Sequence, residues 1–221
     1  MVGWHRRHLI VLVVGFSASF IVSSTFVGAS LAYHAQPIVQ QILIVFLLPT
    51  TATVIYLVVR SLQRRQLLVA DAMTPDPAVQ AIVFWILLFL IGVHVMVLTV
   101  LVGVRAVQPW AARAVVMLGG LTVVAIGNLL PRTRPNTAVG IRTSRTLADR
   151  RMWMLLHRVA GYICVAVGIV TLVTTAFLSG PTVAALSGGA CLAGAGIMCV
   201  YYQKLARVAP PSREIQAPFV S

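Results

Sequence analysis

Residues 127–136 read GNLLPRTRPN, and this stretch decides how the chain is organised. It interrupts apolar sequence with two prolines, two asparagines and two arginines. Because proline lacks a backbone donor and restricts the residue before it, the helix preceding this stretch is predicted to end near Leu130. The next apolar segment begins near Val159, so a polar connection joins two long hydrophobic segments. This connection is where we expect specific chemistry in the chain.

The composition of the chain is that of a membrane protein. Of its 221 residues, 59% are hydrophobic and only 10% are charged, whereas soluble domains carry about 25% charged residues. So much apolar surface cannot be buried in one water-facing globule, and lipid must therefore solvate part of it. We predict a multi-pass integral membrane protein.

Six segments are long and apolar enough to be predicted as transmembrane helices, each of about 20 residues. Barrel strands would alternate in short stretches, and these runs are continuous. The predicted fold class is therefore all-α, a polytopic membrane protein with six transmembrane helices. The predicted spans cover residues 9–27, 38–59, 79–104, 114–130, 159–178 and 182–202. The predicted domains are an N-terminal two-helix membrane region (1–77), a four-helix membrane region (78–204) with a cytoplasmic loop (131–158), and a disordered tail (205–221).

The positive charges predict the orientation. With these six spans, fifteen of the 17 Lys and Arg residues fall on one side, and only Arg105 and Arg113 fall on the other. Cytoplasmic loops carry the excess of Lys and Arg, so both termini and the 131–158 loop are predicted to be cytoplasmic. The net charge of +13 then indicates anionic lipid headgroups as the partner of these arginines, and no nucleic acid.

The first segment has a second interpretation. Residues 5–8 read HRRH, and small residues follow the apolar run at Val27, as in a secretory signal peptide. The run from Leu9 to Val27 is longer than a signal-peptide core of about 7–15 residues, so an uncleaved helix is favoured.

Within the polar connection, Gly140 is expected to supply backbone freedom, and the spacing after it predicts a helix start. Thr146 and Asp149 have capping-box spacing, with Thr146 as the N-cap. The helix that starts there is expected either to continue into the fifth span or to lie along the membrane interface before it. Trp153 is expected at headgroup depth, where amphipathic rings are common. His157 lies one helical turn from Trp153 and one from Gly161, so the three residues share a face.

That face is predicted to approach Asn136 and Arg142 of the connection. One interpretation is a small polar pocket or docking surface for an anionic headgroup, a peptide or a partner protein. The other is a rigid corner whose polar groups satisfy loop backbone, with Asn128 and Asn136 holding turns and arginines contacting lipid phosphate.

Small residues predict that the fourth, fifth and sixth spans pack tightly, because such residues let membrane helices approach closely. They are Gly120 and Gly127, then Gly161, Cys164 and Gly168, then Ala185, Gly189 and Ala193.

The motifs of residues 127–161 resemble the signature of the SdpI-like membrane proteins. That family is typified by a bacterial immunity protein that protects its producer from a secreted, membrane-active peptide toxin and also acts as a signal receptor for a transcriptional repressor. The resemblance implies a multi-pass protein of a bacterial cell (plasma) membrane, with a peptide toxin or a cytoplasmic regulator as partner. By this resemblance the candidate functional residues are Asn128, Pro131, Pro135, Asn136, Gly140, Arg142, Thr143, Thr146, Trp153, His157, Arg158 and Gly161.

Other functions receive less support from the residues. A small transporter would need ionisable groups near the bilayer centre, and only His94 lies deep in a predicted span. An enzyme would need a nucleophile, paired carboxylates or a metal cluster, and no such set can be assembled. We therefore expect no catalytic residues, no metal and no cofactor. An accessory subunit of a larger membrane complex remains an alternative to the immunity protein.

Overall fold

The computed structural model describes residues 8–18, 21, 38–70, 76–101, 104–178 and 180–208. Within these ranges the chain is all-helical and contains no strand, as predicted. The helices are α1 (His8–Ala18), α2 (Ile38–Ala70), α3 (Pro77–Leu101), α4 (Gln108–Leu129), α5 (Ser144–Ala148), α6 (Arg150–Phe177) and α7 (Gly180–Val208), with a 3-10 turn at Leu130–Arg132.

Among the described residues, five helices are long and apolar enough to cross a membrane: α2, α3, α4, α6 and α7. Large apolar side chains such as Phe177 and Leu192 are 82% and 77% exposed, as expected of helices that face lipid tails. The chain is therefore a multi-pass membrane protein. The predicted first span begins with α1, but most of its second half lies outside the described residues. The count of six spans and the sidedness stay predictions.

The long helices pack in chain order, with α2 against α3, α3 against α4, α4 against α6, and α6 against α7. We call the loop end the end of this bundle where α4 stops and α6 begins. It also holds the start of α3 and the last turns of α7, because Asp76 and Ala206 both bond to the segment between α4 and α6. The far end is where α6 stops and where α4 and α7 begin.

Glycines bring the backbones of α4 and α6 into contact. A Cβ placed on Gly161 would lie 2.6 Å from the Gly127 carbonyl oxygen, and one on Gly168 would lie 2.8 Å from that of Gly120. Small residues are what permits such an approach between membrane helices. The predicted tight packing of the fourth and fifth spans is confirmed.

The prediction that a stripe of small residues forms the contact face of α7 is wrong. Ala185, Gly189 and Ala193 are exposed, and a Cβ on Gly189 would meet nothing within 4 Å. The face that packs on α6 instead contains Val183 and Gly194. Glycine and alanine are frequent in membrane helices in general, so their spacing alone does not identify the buried face.

Several helices extend beyond the predicted apolar spans, because polar residues continue them past the apolar segment. Helix α4 begins at Gln108, before the predicted apolar span that starts at 114, and α6 begins at Arg150, before the predicted apolar span that starts at 159. Helix α7 continues to Val208, so the first residues of the predicted tail are helical. Residues 209–221 lie outside the described part of the chain.

Candidate functional site

The connecting loop, residues 133–149, runs from the 3-10 turn to the start of α6 and covers Trp153. The Trp153 ring is fully buried. Its indole Nε1 donates a hydrogen bond to the Thr133 carbonyl oxygen at 3.0 Å, and the Thr133 hydroxyl donates to the Leu130 carbonyl oxygen at 2.7 Å. Trp153 thus contacts protein and not the headgroup region predicted for it, because the loop folds back over the first turns of α6.

His157 lies directly beside Trp153 and connects α6 to the loop. The two rings stack with their centroids 3.9 Å apart. The His157 Nδ1 is 2.9 Å from the Trp153 carbonyl oxygen, which can only accept, so Nδ1 donates. The Nε2 accepts the backbone N–H of Ile141 at 3.2 Å. These two bonds require a neutral imidazole with its proton on Nδ1, and they occupy both ring nitrogens.

Gly140 is the loop residue that allows this contact. Its φ of 114° lies in the region that favours glycine. A Cβ at this position would overlap the His157 ring at Nε2. The backbone freedom predicted for Gly140 is therefore used to bring Ile141 onto His157.

The helix start in the loop differs from the prediction. The N-cap is Thr143, not Thr146, and Thr146 occupies the third helical position of α5 in a capping box with Thr143. The fully buried Thr146 hydroxyl donates to the Ile141 carbonyl oxygen at 2.8 Å and accepts the Thr143 N–H at 2.8 Å. Asp149 instead caps α6, accepting the N–H groups of Arg151 and Met152. Of the two predicted alternatives, the structure has a separate short helix before the fifth span, and each of the two consecutive helices has its own cap.

Thr146→Val is expected to loosen the connecting loop. Valine keeps the shape but removes the buried hydroxyl, so the Ile141 carbonyl oxygen and the Thr143 N–H each lose a partner, at a cost of about 1–3 kcal/mol. Tryptic cleavage after Arg142 and Arg145 in detergent-solubilised protein should become faster, because local opening exposes these sites. Thr137→Val, at an exposed threonine of the same loop, should leave the rate unchanged. An unaltered rate in Thr146→Val would show that the capping network does not hold the loop.

The two predicted asparagines have different roles. Asn136 is buried; its side chain donates to the Arg134 carbonyl oxygen and accepts the N–H groups of Ala138 and Val139. Its predicted role in holding a turn is confirmed. Asn128 is exposed and donates back to the Val124 carbonyl oxygen within α4, so it does not hold the loop. Helical geometry directs it outward, away from the turn that follows.

Asp76 is a loop partner that the sequence analysis missed. One carboxylate oxygen accepts the Ala78 N–H at 2.9 Å at the start of α3, and the other accepts the Arg134 N–H at 2.8 Å. Asp76 therefore ties α3 to the connecting loop. The signal was an Asp immediately before Pro77, a typical N-cap followed by proline at the first helical position.

Two further predicted residues lie where α4 meets α6. A Cβ on Gly161 would lie 2.9 Å from Pro131 Cγ, so the proline packs over the glycine. Pro135 is half-buried in the loop. The predicted shared face of Trp153, His157 and Gly161 is confirmed, but His157 meets Ile141 and Gly140 rather than Asn136 or Arg142.

The arginines of this region point outward. We call them the arginine surface, and all seven are exposed: Arg132, Arg134, Arg142, Arg145, Arg150, Arg151 and Arg158. Arg142 donates to the Thr137 carbonyl oxygen, and Arg145 donates to the Ala206 carbonyl oxygen of α7 at 2.8 Å. The predicted site thus separates into an inner set of hydrogen-bonded residues and an outer cationic surface.

A second polar cluster at the loop end was also not predicted from the sequence. His8 of α1 is buried, and its Nε2 donates to the Gln80 carbonyl oxygen of α3 at 3.1 Å. Its ring lies 5.6 Å from that of Tyr56 in α2, over which Arg60 is placed at 6.0 Å. In the sequence, His8 is the last residue of the basic stretch that precedes an apolar run, and nothing there predicts a buried contact. Its contacts link the first three helices beside the candidate site.

The polar groups of the site divide between internal hydrogen bonds and an exposed cationic surface. The inner polar groups satisfy one another, which favours the rigid-corner interpretation over an open polar pocket. Within the described ranges, no group of three or more His, Cys, Asp or Glu side chains could hold a metal ion. The charged groups of this site that remain exposed are those of the arginine surface.

Comparison with known families identifies the same region. Residues 132–202 match the model of the SdpI/YfhL protein family. This range contains the connecting loop, α6 and most of α7, and it includes every candidate residue from Pro135 to Gly161, while Asn128 and Pro131 lie just before it. Searches of curated proteins and of solved structures found no match. The chain is therefore a multi-pass membrane protein whose residues 132–202 are similar to the SdpI/YfhL protein family.

Proposed function

We propose that this protein is a non-enzymatic SdpI-type immunity protein. It protects a bacterial cell against a membrane-active peptide toxin and signals by binding a cytoplasmic regulator. The observation that carries the proposal is the arginine surface, which is displayed on a loop held rigid by its own buried hydrogen bonds. The family match over this region supports it.

Two arginines of this surface have an unfavourable interaction with the dipole of the helix on which they lie. Arg150 and Arg151 begin α6, where the helix dipole is positive and favours acidic residues. Asp149 offsets this only in part as the N-cap. Residues that are unfavourable for the local structure, such as arginines at the start of a helix, are expected at sites where function requires them. Guanidinium groups bind carboxylates well, so the proposed regulator presents an acidic segment to this surface.

The inner residues support binding rather than catalysis. His157 is the buried base closest to the loop, yet both of its nitrogens hold backbone groups. To act in proton transfer it would have to release Ile141 or the Trp153 carbonyl. Its role in the proposal is to fix the loop conformation that displays the arginines.

The proposal predicts loss of protection without loss of stability in the variant Arg150→Gln, Arg151→Gln, Arg158→Gln. Exposed ion pairs contribute about 0.2–1 kcal/mol each, so three together should weaken regulator binding about tenfold. Removing the two charges at the start of α6 should leave the unfolding temperature unchanged or slightly higher. The readouts are growth of a deletion strain carrying each variant under membrane-active peptides, and membrane abundance.

The matched control is Arg64→Gln, Arg65→Gln, which removes exposed arginines of α2 outside the family match. If arginines act only as topology signals, both variants should protect equally well at equal abundance. Equal protection by the two would contradict a docking role for the arginine surface. A deletion strain with unchanged sensitivity to every peptide tested would contradict the immunity function itself.

A further inference from the structure

A cavity of about 600 Å³ lies at the far end of the bundle, at the opposite end of α4, α6 and α7 from the connecting loop. It is lined by Trp110 and Arg113 of α4, Thr175 of α6, and Val183, Ala184 and Ser187 of α7. Its volume is within the range of small-molecule sites, about 300–1,000 Å³. The residues that carry the SdpI-like motif do not line it.

The cavity combines an apolar interior with an uncompensated positive charge. Arg113 is exposed; one of its N–H groups donates to the Leu178 carbonyl oxygen at 3.3 Å, which leaves the rest of its five donors for another acceptor. Both acidic side chains within the described ranges, Asp76 and Asp149, lie at the loop end. The charge of this cavity therefore complements an anion.

Ser187 adds a polar group that has no partner among the described residues. Its hydroxyl oxygen is buried and makes no hydrogen bond there, although a helical serine can bond to the carbonyl one turn earlier. A buried hydroxyl without a partner costs free energy. An occupant with acceptor atoms would satisfy it.

The position of the cavity indicates a lipid as the occupant. The cavity lies where membrane-crossing helices end, and Trp110, which lines it, is 60% exposed. The Arg113 guanidinium carbon lies over the Trp110 ring, 5.8 Å from its centroid. Tryptophan and arginine together are typical of the membrane–water interface. Phe177, which is almost fully exposed, lies next to the same end of α6. The cavity therefore lies beside exposed aromatic side chains of the kind that contact lipid.

We propose that this cavity binds an anionic phospholipid, with the phosphate at Arg113 and Ser187 and part of an acyl chain against Val183 and Ala184. Guanidinium–phosphate bonds are strong because both partners are charged. A zwitterionic lipid of the same chain length brings a cation with its phosphate and is bound less well.

Native mass spectrometry of the purified full-length chain in detergent tests this. Phosphatidylglycerol, phosphatidylcholine with the same acyl chains, and glycerol phosphate without chains are titrated separately. We expect retention of phosphatidylglycerol, much weaker retention of phosphatidylcholine, and none of glycerol phosphate. Arg113→Gln should lower phosphatidylglycerol retention about tenfold, and Arg113→Lys should lower it less. Ala184→Phe should reduce it by filling the cavity without changing charge.

The matched control is Arg105→Gln, an exposed arginine at the same end of the bundle that does not line the cavity; it should bind like the parent. Ser187→Ala provides a second variant if a larger change disturbs folding, which the unfolding temperature reports. The proposal is overturned if Arg113→Gln and Arg105→Gln weaken retention equally. It is also overturned if the two lipids bind equally, or if glycerol phosphate binds as well as the lipid.

Discussion

Gly161→Ala is expected to destabilise the folded protein, although alanine is the better helix former. The new Cβ would lie 2.6 Å from the Gly127 carbonyl oxygen and 2.9 Å from Pro131 Cγ. The first of these atoms belongs to the backbone of α4, which cannot rotate out of the way as a side chain can. Helices α4 and α6 must separate, at a cost of about 2 kcal/mol or more. The measurement is the thermal unfolding of the purified protein in detergent micelles.

Gly189→Ala is the matched control, because it makes the same change in another membrane helix where a Cβ meets nothing within 4 Å. It should raise stability by about 0.5–1 kcal/mol, the ordinary gain of alanine over glycine in a helix. Gly168→Ala, whose Cβ would lie 2.8 Å from the Gly120 carbonyl oxygen, should behave like Gly161→Ala. A Gly161→Ala protein as stable as Gly189→Ala would show that the two backbones are not in contact.

The sequence predicted the parts of this fold that depend on composition and local pattern. Long apolar runs identify helices that face lipid, since no other regular element of that length satisfies its backbone there. Gly127 and Gly161 were predicted to lie at helix contacts, and they do. Gly140 and Asn136 were also predicted correctly, because a positive φ and an Asx-type turn are local properties of the chain.

What the sequence did not predict depends on how distant elements meet. Asp76 reads as a helix cap, but its bond to Arg134 requires α3 to start beside the connecting loop. The sequence around Trp153 is typical of a ring at the membrane interface, and only the path of the connecting loop shows that the ring is buried. The contact face of α7 was wrong because spacing gives the relative positions of small residues around a helix but not the direction of its neighbour. His157 was placed on the correct face, yet its partner Ile141 is fixed by the path of the loop.

Gly140→Ala should have the largest effect on the connecting loop. Two penalties add: an L-residue at φ 114° is strained by about 1–3 kcal/mol, and the Cβ overlaps His157, with a further cost of about 1–3 kcal/mol. Relief of the overlap would pull Ile141 away from Nε2 and break that bond. We expect a lower unfolding temperature and faster tryptic cleavage after Arg142, while α4 and α6 keep their glycine contacts.

A double-mutant cycle with His157→Ala separates the two penalties. In the His157→Ala background the ring is gone, so Gly140→Ala should cost only the backbone strain. The two single changes should therefore sum to more than the double variant by about 1–2 kcal/mol, a coupling typical of residues in contact. Exact additivity would mean that position 140 does not touch the ring. The protection assay can then be applied to Gly140→Ala, which opens the loop but keeps all of its arginines. Loss of protection in this variant would indicate that the proposed regulator requires the arginines in one fixed arrangement.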